Sequence, residues 1–350
     1  MTAPIRLSIC IPTLNRGRFI GETLASISKQ LNERTEVVIV DGGSTDSTEE
    51  IVRGYSSRFA QIRYMRSELS STVPSNQGFD RDCNLAVEQA CGEYCWLMTD
   101  DDLLVDGAID DVLARTEQGP DLVFACARVC SVDFGQTLEA SLPRIPMDKR
   151  YDRSSWAAFA AELGPQLTFL GGVIIRRAIW LGRERSRYFG TGFIHVGVIF
   201  SEPLDHIVAL ARPLVVVRYG NALWWSRAFD IWMDHWPRLI WSFASLSDAA
   251  KAAVTPRYPF RSARRLLWYR AVGAYSIDKY RQRLASEPGL VYRLVAASIA
   301  RIPVALTNAL YSLYLAPRKS RPYALQMYDL VHCGHAGVVT RRVARLRGIR

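Results

Sequence analysis

Three successive aspartates, Asp100 to Asp102, are the residues of this sequence with the clearest potential for chemistry. They directly follow the apolar run Tyr94–Met98, which is typical of a buried strand. Adjacent carboxylates repel one another, so a folded protein must supply a cation or hydrogen-bond donors to them. Carboxylate oxygens suit Mg²⁺ or Mn²⁺, and Mg²⁺ typically binds one or two carboxylates together with substrate phosphates. The triplet therefore predicts a metal and a phosphate-bearing ligand, with a solvated turn as the alternative interpretation.

Two further polar groups follow apolar runs in the same way. Pro12-Thr13-Leu14-Asn15 follows Leu7–Ile11, and Asp41 follows Val37–Val40. In an open parallel sheet, ligands bind at the carboxyl ends of the strands, so all three groups are expected to meet at one edge. Asp41 is suited to bind an N–H of a base or a ribose hydroxyl. The sequence Asp41-Gly42-Gly43 is also typical of a turn, however, in which Asp41 would have a structural role.

The elements that must position these residues alternate between strand and helix patterns. Apolar runs indicate strands, and apolar residues that recur every three or four positions indicate helices. Strand patterns occur at Leu7–Ile11, Val37–Val40, Ile62–Met65, Tyr94–Met98 and Leu122–Cys126, with helical patterns between them. This alternation predicts an α/β domain with a mostly parallel sheet flanked by helices.

The common phosphate-binding glycine motifs are absent from the sequence. No GxxxxGK[ST] occurs, and no GxGxxG follows the first strand pattern. A kinase-like or NAD-dependent function therefore lacks its signature. A nucleotide bound at this edge of the sheet would be held by carboxylates and a metal instead.

Four segments, in order and at matching spacing, resemble the family 2 glycosyltransferases of GT-A fold. They are Ser8–Arg16, Glu36–Thr48, Asn84 with Ala90–Tyr94, and Trp96–Asp102, and the resemblance covers about residues 5–200. The resemblance implies an inverting sugar transfer from a nucleoside-diphosphate sugar, with a divalent metal, Mg²⁺ or Mn²⁺. The Trp-Leu-Met-Thr-Asp-Asp-Asp form is most similar to the abequosyltransferase-type subgroup, which acts in surface-polysaccharide assembly.

The resemblance also implies roles for individual residues. Pro12 and Thr13 would touch the nucleotide, and Asp41 would read its base. Thr99 stands where the family usually has its first aspartate, which leaves open which carboxylate ligates the metal. The predicted cofactor-binding residues are Pro12, Thr13, Asn15, Arg16, Asp41, Asn84 and Asp100, the predicted metal ligands are Asp101 and Asp102, and Asp101 is also a predicted catalytic residue.

The general base is the second predicted catalytic residue. The family usually has a Glu-Asp pair after a Gly-Gly segment, but no such pair follows Gly171-Gly172. His195 occupies about that position, and an imidazole can accept a proton near neutral pH. We therefore predict His195 as the base. The alternatives are a structural role for His195, with a carboxylate such as Glu202 or Asp205 as the base.

The net charge of +10 is unevenly distributed along the chain. Residues 1–150 carry 15 basic and 23 acidic side chains, whereas residues 151–350 carry 29 and 11. A basic surface attracts phosphates, as in nucleic acid, an anionic membrane or a phosphorylated substrate. A nucleic-acid-binding protein is the alternative function, but no helix-turn-helix, zinc or RNP signature occurs, so no nucleic-acid partner is expected.

We predict a catalytic domain over residues 1–220, with a nucleotide-binding part at about 1–130 and an acceptor part at about 150–220. Residues 221–350 are predicted to form a helical, basic C-terminal extension. Its helix candidates lie at 224–246, 263–284 and 290–315.

The last of these candidates indicates contact with a membrane. Arg293, Arg301 and Pro303 interrupt its apolar stretch, which predicts an interfacial helix on an anionic surface, with an ordinary core helix as the alternative. The resemblance implies a lipid-linked saccharide acceptor.

The first ten residues lack the layout of a signal peptide, and the number of cysteines, seven, is odd. We therefore expect a cytoplasmic protein, peripheral at the inner face of the cell membrane.

Overall fold

The computed structural model describes residues 4–67, 75–221, 227–318 and 322–349. The predicted series of strands and helices is present in it. The strands are β1 (Leu7–Thr13), β2 (Thr35–Asp41), β3 (Ile62–Arg66), β4 (Tyr94–Leu97), β5 (Leu103–Leu104), β6 (Leu122–Cys130), β7 (Thr137–Leu142), β8 (Lys149–Tyr151), β9 (Val173–Arg176) and β10 (Ile207–Arg218). The first ten helices are α1 (Ile20–Ser28), α2 (Thr48–Ser56), α3 (Ser75–Gln89), α4 (Ala108–Thr116), α5 (Trp156–Leu163), α6 (Arg177–Gly182), α7 (Ile194–Ser201), α8 (Ala228–Asp230), α9 (Trp236–Trp241) and α10 (Asp248–Val254). The others are α11 (Ala263–Ala271), α12 (Ile277–Lys279), α13 (Leu290–Arg301), α14 (Val304–Leu315), α15 (Pro322–His332) and α16 (Val338–Leu346).

Strand β1 lies at the centre of the parallel part of the sheet. The strand order is β3-β2-β1-β4-β9-β6-β10-β5, and β1 pairs in parallel with both β2 and β4. Strand β3 is parallel to β2, whereas β9 is antiparallel to its neighbours β4 and β6. The register sets Thr13 beside Asp41, and the aspartate triplet follows β4 on the other side of β1. The predicted α/β class with a sheet flanked by helices is confirmed, but the sheet is mixed and not mostly parallel, because β9 pairs with β4 and β6, and β10 with β5 and β8, in antiparallel orientation.

The core of the sheet explains the apolar runs of the sequence. Every residue of β1 and β2 is buried, as expected for parallel strands that are covered on both faces. Helix α1 buries Ile20, Leu24 and Ile27, which recur at the predicted helical spacing. These side chains belong to one core cluster with residues of β1, β2 and β4. The strand ends that carry the polar residues are therefore rigidly supported.

The chain packs as two compact units. The first comprises Met1–Val129, Ala140–Arg218 and Ser242–Val254, and it contains the parallel strands. The second comprises Cys130–Glu139, Tyr219–Trp241 and Thr255–Arg350, and its C-terminal part is helical. The chain thus passes between the units at Arg218, near the predicted boundary at residue 220, and then returns to the first unit for Ser242–Val254.

Two helices predicted in the C-terminal extension are each broken in the structure. The candidate at 263–284 ends as α11 at Ala271, because Gly273 adopts a φ of +80°, which other residues rarely tolerate. The candidate at 290–315 is divided into α13 and α14 at Pro303, which has no backbone N–H with which to continue α13. The extension is nevertheless helical, as predicted.

Candidate active site

The loop after β1 is tied to the loop after β2 by hydrogen bonds. Asn15 has a φ of 54°, and its backbone N–H donates to Oγ of Ser44 at 2.8 Å. Its side-chain Oδ1 accepts the backbone N–H of Thr45 at 2.8 Å. The backbone N–H of Arg16 donates to Oγ1 of Thr48 at 2.8 Å. The two loops therefore form one rigid rim beside the aspartates, and Pro12 and Thr13 lie buried at its base.

Asp41 is fully buried at the end of β2. Its Oδ1 accepts the backbone N–H groups of Gly43 and Ser44 at 3.0 and 2.7 Å. These hydrogen bonds stabilise the turn that the sequence indicates. Its Oδ2 accepts the hydroxyl of Tyr64 at 2.9 Å. Each oxygen therefore has a donor, and the second lone pair of Oδ2 is the group most suited to bind a ligand N–H.

Arg16 joins two of the three aspartates. Its Nε lies 3.0 Å from Oδ1 of Asp100, and its Nη2 lies 2.8 Å from Oδ2 of Asp101. The guanidinium also lies over the ring of Phe19. Planar guanidinium groups suit such paired carboxylate contacts, and the cation offsets part of the repulsion within the triplet. The sequence placed Arg16 among the nucleotide contacts but did not indicate this ion pair.

Asp102 is held by donors from two sides. Its Oδ2 accepts the hydroxyl of Thr99 at 2.6 Å, and its Oδ1 accepts the backbone N–H of Arg218 at 2.8 Å. The side chain of Arg218 donates through Nε to the carbonyl of Asp101 at 3.0 Å and through Nη2 to Glu22 at 2.8 Å. Sequence reasoning missed Arg218. Its only local signal is an arginine that ends the apolar segment Leu214–Val217 of β10.

The triplet brings three carboxyl groups together in a buried place. Burial raises the pKa of Asp100 to about 6, although the Arg16 guanidinium beside it acts in the opposite direction. Burial, followed by the charge of Asp101, raises the pKa of Asp102 well above its usual range. Both shifts mean that an added cation would be favoured here, because it would stabilise the ionised carboxylates.

The carboxylate oxygens of Asp100 and Asp101 are metal ligands of the type that Mg²⁺ and Mn²⁺ prefer. Within the described ranges, no group of three or more His, Cys, Asp or Glu side chains is arranged to hold a metal ion. Both oxygens of Asp102 already accept hydrogen bonds. The donor set therefore fits a cation bound by one or two carboxylates together with the phosphates of a ligand, and does not form a closed metal site by itself.

Asn84 lies on α3 and makes contacts of a structural kind. Its Nδ2 donates to Oε1 of Glu88 at 2.9 Å, and its Oδ1 accepts the indole N–H of Trp180 at 3.0 Å. The amide oxygen thus joins α3 to α6, whereas the amide nitrogen is bonded within α3. A contact of Asn84 with a nucleotide stays a prediction that these hydrogen bonds do not support.

Comparison with known proteins decides the family. Residues 8–170 match the family described as glycosyl transferase family 2. These residues are a family 2 glycosyltransferase domain. The matched range contains Asp41 and the aspartate triplet, and the predicted family and the predicted enzyme class are confirmed.

Two relatives of the family 2 domain are similar in sequence. The chain is 26% identical over 229 residues to an abequosyltransferase of Salmonella typhimurium, covering 61% of this chain and 67% of that protein. It is 28% identical over 119 residues to the GalNAc(5)-diNAcBac-PP-undecaprenol beta-1,3-glucosyltransferase of Campylobacter jejuni, covering 34% and 37%. The chain thus matches about two thirds of the first relative and about a third of the second. The predicted abequosyltransferase-like resemblance is confirmed, and the matches give no support to nucleic-acid binding.

A solved structure supports the GT-A fold. A mannosyltransferase of Pyrobaculum calidifontis in complex with GDP-Man and Mn²⁺ aligns over 100% of this chain and 90% of that one, with a TM-score of 0.52 and 15% identity. At 15% identity, this similarity shows a shared fold only, and the shared fold includes the helical C-terminal region.

His195, the predicted base, lies beyond the part of the chain that matches the family 2 model. It is only 1% exposed, in helix α7. Its Nε2 lies 2.7 Å from the carbonyl oxygen of Leu167, so Nε2 carries the proton and Nδ1 is the accepting nitrogen. This Nδ1 has no hydrogen-bond partner in the described part of the chain, and burial lowers the pKa of His195 to about 4. The role of His195 as the base stays a prediction, because its accepting Nδ1 is enclosed by the protein.

Asp80 is a residue of this region that sequence reasoning missed. Its two oxygens accept the backbone N–H groups of Gly192 at 2.8 Å and Ile194 at 3.1 Å. Burial raises the pKa of Asp80 to about 7. Asp80 thereby fixes the loop from which α7 begins, and so the position of His195. No local pattern reveals this contact, because it joins residues 112 positions apart.

Proposed function

We propose that this chain, which contains a family 2 glycosyltransferase domain, is an inverting glycosyltransferase. It moves a sugar from a nucleoside-diphosphate sugar to a hydroxyl of a saccharide acceptor. The convergence of Asp41, Asp100 and Asp101 at the carboxyl ends of adjoining strands carries the proposal, because these groups suit a base, a ribose and a metal-bound diphosphate. The names of the two relatives, which transfer abequose and glucose, support it.

The donor would lie across the ends of β1, β2 and β4. Asp41 would read the base through Oδ2, and the nucleotide would lie against Asn15 and Arg16 of the rim, with Pro12 and Thr13 beneath them. We propose that about residues 1–130 bind the nucleotide and that about residues 150–220 bind the acceptor. The predicted catalytic domain over 1–220 is retained as part of the proposal.

A divalent metal, Mg²⁺ or Mn²⁺, would be held by Asp101 together with Asp100. When bound, it would stabilise the negative charge that develops on the leaving diphosphate. The Pyrobaculum calidifontis enzyme, whose structure contains Mn²⁺, supports the choice of a divalent metal. Asp102 was predicted as a ligand as well. Because Thr99 and Arg218 donate to its oxygens, we now assign Asp102 to holding the loop in place.

The transfer itself needs a proton acceptor. The acceptor hydroxyl attacks C1 of the sugar from the side opposite the diphosphate, a new C1–O bond forms, and the bond from C1 to the diphosphate oxygen breaks. The hydroxyl proton passes to a base, for which Nδ1 of His195 is the proposed atom. General-base catalysis of this kind typically contributes about 10²–10⁴-fold.

We further propose that the acceptor is a lipid-linked saccharide in surface-polysaccharide or glycolipid assembly. The Campylobacter jejuni relative, named for an undecaprenol-diphosphate acceptor, supports this choice. A lipid-linked acceptor stays in the membrane, so the enzyme must come to it. A cytoplasmic location, peripheral at the inner face of the cell membrane, is part of the same proposal.

A thermal-shift screen tests the proposed donor class. UDP-, GDP-, CDP- and dTDP-sugars are each added with and without Mn²⁺. A ligand at 100 times its Kd stabilises a protein by about 2.7 kcal/mol, which is readily measured. At least one nucleotide should raise the melting temperature, and more so with Mn²⁺. No shift with any of them, together with salt-sensitive binding of duplex DNA, would overturn the proposal.

A further inference from the structure

Helix α14 buries polar side chains and exposes leucines, which is the reverse of the usual arrangement. Its buried side chains include Thr307, Asn308 and Ser312, which are polar. Its exposed face consists of Leu306, Leu310 and Leu313, which are 50%, 56% and 52% exposed. A helix on the surface of a water-soluble protein normally turns its leucines inward and its polar residues outward. The outer face of α14 is therefore suited to an apolar environment.

A buried network of hydrogen bonds fixes α14 in this orientation. Nδ2 of Asn308 donates to the carbonyls of Ala271 and Leu330 at 3.1 and 3.0 Å. Its Oδ1 accepts the hydroxyl of Thr340 at 2.6 Å. A rotation of α14 that buried the leucines would carry Asn308 away from the carbonyls of Ala271 and Leu330, and these buried carbonyls would lose the donor that it supplies, which is unfavourable. The exposure of the leucines is thus built into the packing of the helix.

Helix α13 also has an exposed apolar face. Leu290, Val291, Leu294 and Val295 are exposed and lie on one side at helical spacing. The opposite side packs into a core cluster through Ala296, Ile299 and Ala300. Contiguous exposed apolar surface of this kind marks contact with a membrane or another molecule.

Basic side chains accompany the apolar ones. The guanidinium of Arg318 lies 3.6 Å from the ring centroid of Tyr314, at the end of α14. On α16, which Thr340 joins to α14, the exposed side chains are Val338, Val339, Arg341, Arg342, Arg345 and Leu346. Mixed basic and apolar surfaces of this kind are typical of segments that lie in the interface of an anionic bilayer.

We propose that the exposed faces of α13, α14 and α16 dock on an anionic lipid surface. This proposal deepens the proposed transfer to a lipid-linked acceptor by naming the surface that reaches it. A second copy of the chain is the less suitable partner, because two such faces would bring their arginines together. Lys319 and Arg321, which follow Arg318 in the sequence, lie outside the described residues.

Helices α13 and α14 each expose one apolar face. Among the described helices, no single helix is long and apolar enough to cross a membrane. Helices α13 and α14 meet that criterion only when they are counted together, and they are bent by 99° at the break between them. Each helix is buried on one side within its own unit, so only its outer face is available to lipid.

Co-sedimentation of the full chain with lipid vesicles tests the proposal. The variant carries Leu306→Glu with Leu310→Glu, both on the exposed face. The control is Met147→Glu, which alters an exposed apolar residue of the first unit. Vesicles of phosphatidylcholine alone are compared with vesicles that also contain phosphatidylglycerol. We expect binding to the anionic vesicles that weakens with salt, falls at least tenfold in the double variant and is unchanged in the control.

Three results would overturn this inference: equal binding of the variant and the control, equal binding to neutral and anionic vesicles, or a dimer of the wild type that the variant abolishes in the absence of lipid. Nucleotide-sugar binding, measured on the same proteins without vesicles, reports separately on the proposed function. It should be equal in the wild type and both variants, because the substituted side chains are exposed. Its failure in all three would count against the glycosyltransferase donor site and leave the vesicle result intact.

Discussion

Nη2 of Arg16 lies 2.8 Å from Oδ2 of Asp101, while Nε of the same guanidinium contacts Asp100 at 3.0 Å. The chain therefore supplies a cation of its own to the carboxylates that we propose as metal ligands. Arg16 and a divalent metal would have to share these two groups. The position of Arg16 is set by the hydrogen bond of its backbone to Thr48, so it does not depend on a ligand.

This sharing predicts that Arg16→Gln tightens the binding of Mn²⁺ to the nucleotide-free protein. Removal of a like charge beside the metal should improve its affinity about tenfold, which corresponds to about 1.4 kcal/mol. Titration calorimetry at pH 8, where ionised carboxylates are favoured, gives the measurement. Arg18→Gln, an exposed arginine on the same loop, is the control and should bind Mn²⁺ like the wild type. Unchanged affinity in Arg16→Gln would mean that the metal does not bind beside this guanidinium.

Tyr64→Phe is predicted to weaken binding of the nucleoside diphosphate. The hydroxyl of Tyr64 donates to Oδ2 of Asp41 at 2.9 Å, and its loss would leave that carboxylate less well oriented. A hydrogen bond of this type contributes about 0.5–1.5 kcal/mol, so we expect a Kd about three- to tenfold higher. Tyr55→Phe is the matched control, because the Tyr55 hydroxyl donates to the Gly21 carbonyl instead. Equal affinity of the two variants would speak against a role of Asp41 in binding the base.

Arg218→Met is predicted to destabilise the loop that carries the aspartates. The variant keeps the backbone N–H that contacts Asp102 but loses the side-chain donors to Asp101 and Glu22. A buried carbonyl left without its donor costs about 1–3 kcal/mol, which urea unfolding would detect as a lower midpoint. Arg212→Met, in the same strand but exposed, should have less than half this effect. An equal loss in both variants would contradict the positioning role of Arg218.

The burial of His195 predicts a specific dependence of stability on pH. Its pKa is about 4 in the folded state against 6.5 ordinarily, so the fold favours the neutral imidazole. The resulting stabilisation is fully present above pH 6.5 and is lost as the pH falls towards 4. Between pH 7 and pH 4.5 it should amount to about 2–3 kcal/mol.

The measurement compares the wild type with His195→Gln, which does not titrate. The free energy of unfolding is determined at both pH values, and the other acidic groups affect both proteins alike. The loss of stability on acidification should be smaller in His195→Gln by the amount stated. Equal losses in the two proteins would show that His195 is not held neutral by burial.

The parallel half of the sheet and the placement of Asp41 and Asp100 were predictable from the sequence. Both depend on local patterns, since uninterrupted apolar runs report strands buried on both faces and polar residues mark where these strands end. The chain order of β1, β2 and β4 then brings the ends together, because consecutive parallel strands converge at one edge. These predictions needed no knowledge of distant contacts.

Contacts between distant parts of the chain were not predictable in this way. Arg218 meets Asp102 across 116 positions, and Asp80 meets Gly192 across 112. Nothing in the local sequence of either residue indicates such a partner. The break at Pro303 was visible, but the buried side of α14 was not, because it depends on the distant contacts of Asn308 with Ala271 and Leu330. Hydrophobic periodicity alone would have placed the leucines inward.

Binding of the nucleoside-diphosphate sugar to Asp101→Asn tests the central claim most directly. The substitution keeps the size of the side chain and removes the charge that a metal-bound diphosphate requires. The control is Asp106→Asn, an exposed aspartate four residues after Asp102 that pairs with Lys29 at the surface. Calorimetry with Mn²⁺ and the donor found in the thermal-shift screen should show wild-type affinity for the control and a loss of at least about 100-fold, or about 2.7 kcal/mol, for Asp101→Asn. Wild-type affinity in Asp101→Asn would contradict the account, since the donor would then bind without the aspartate cluster.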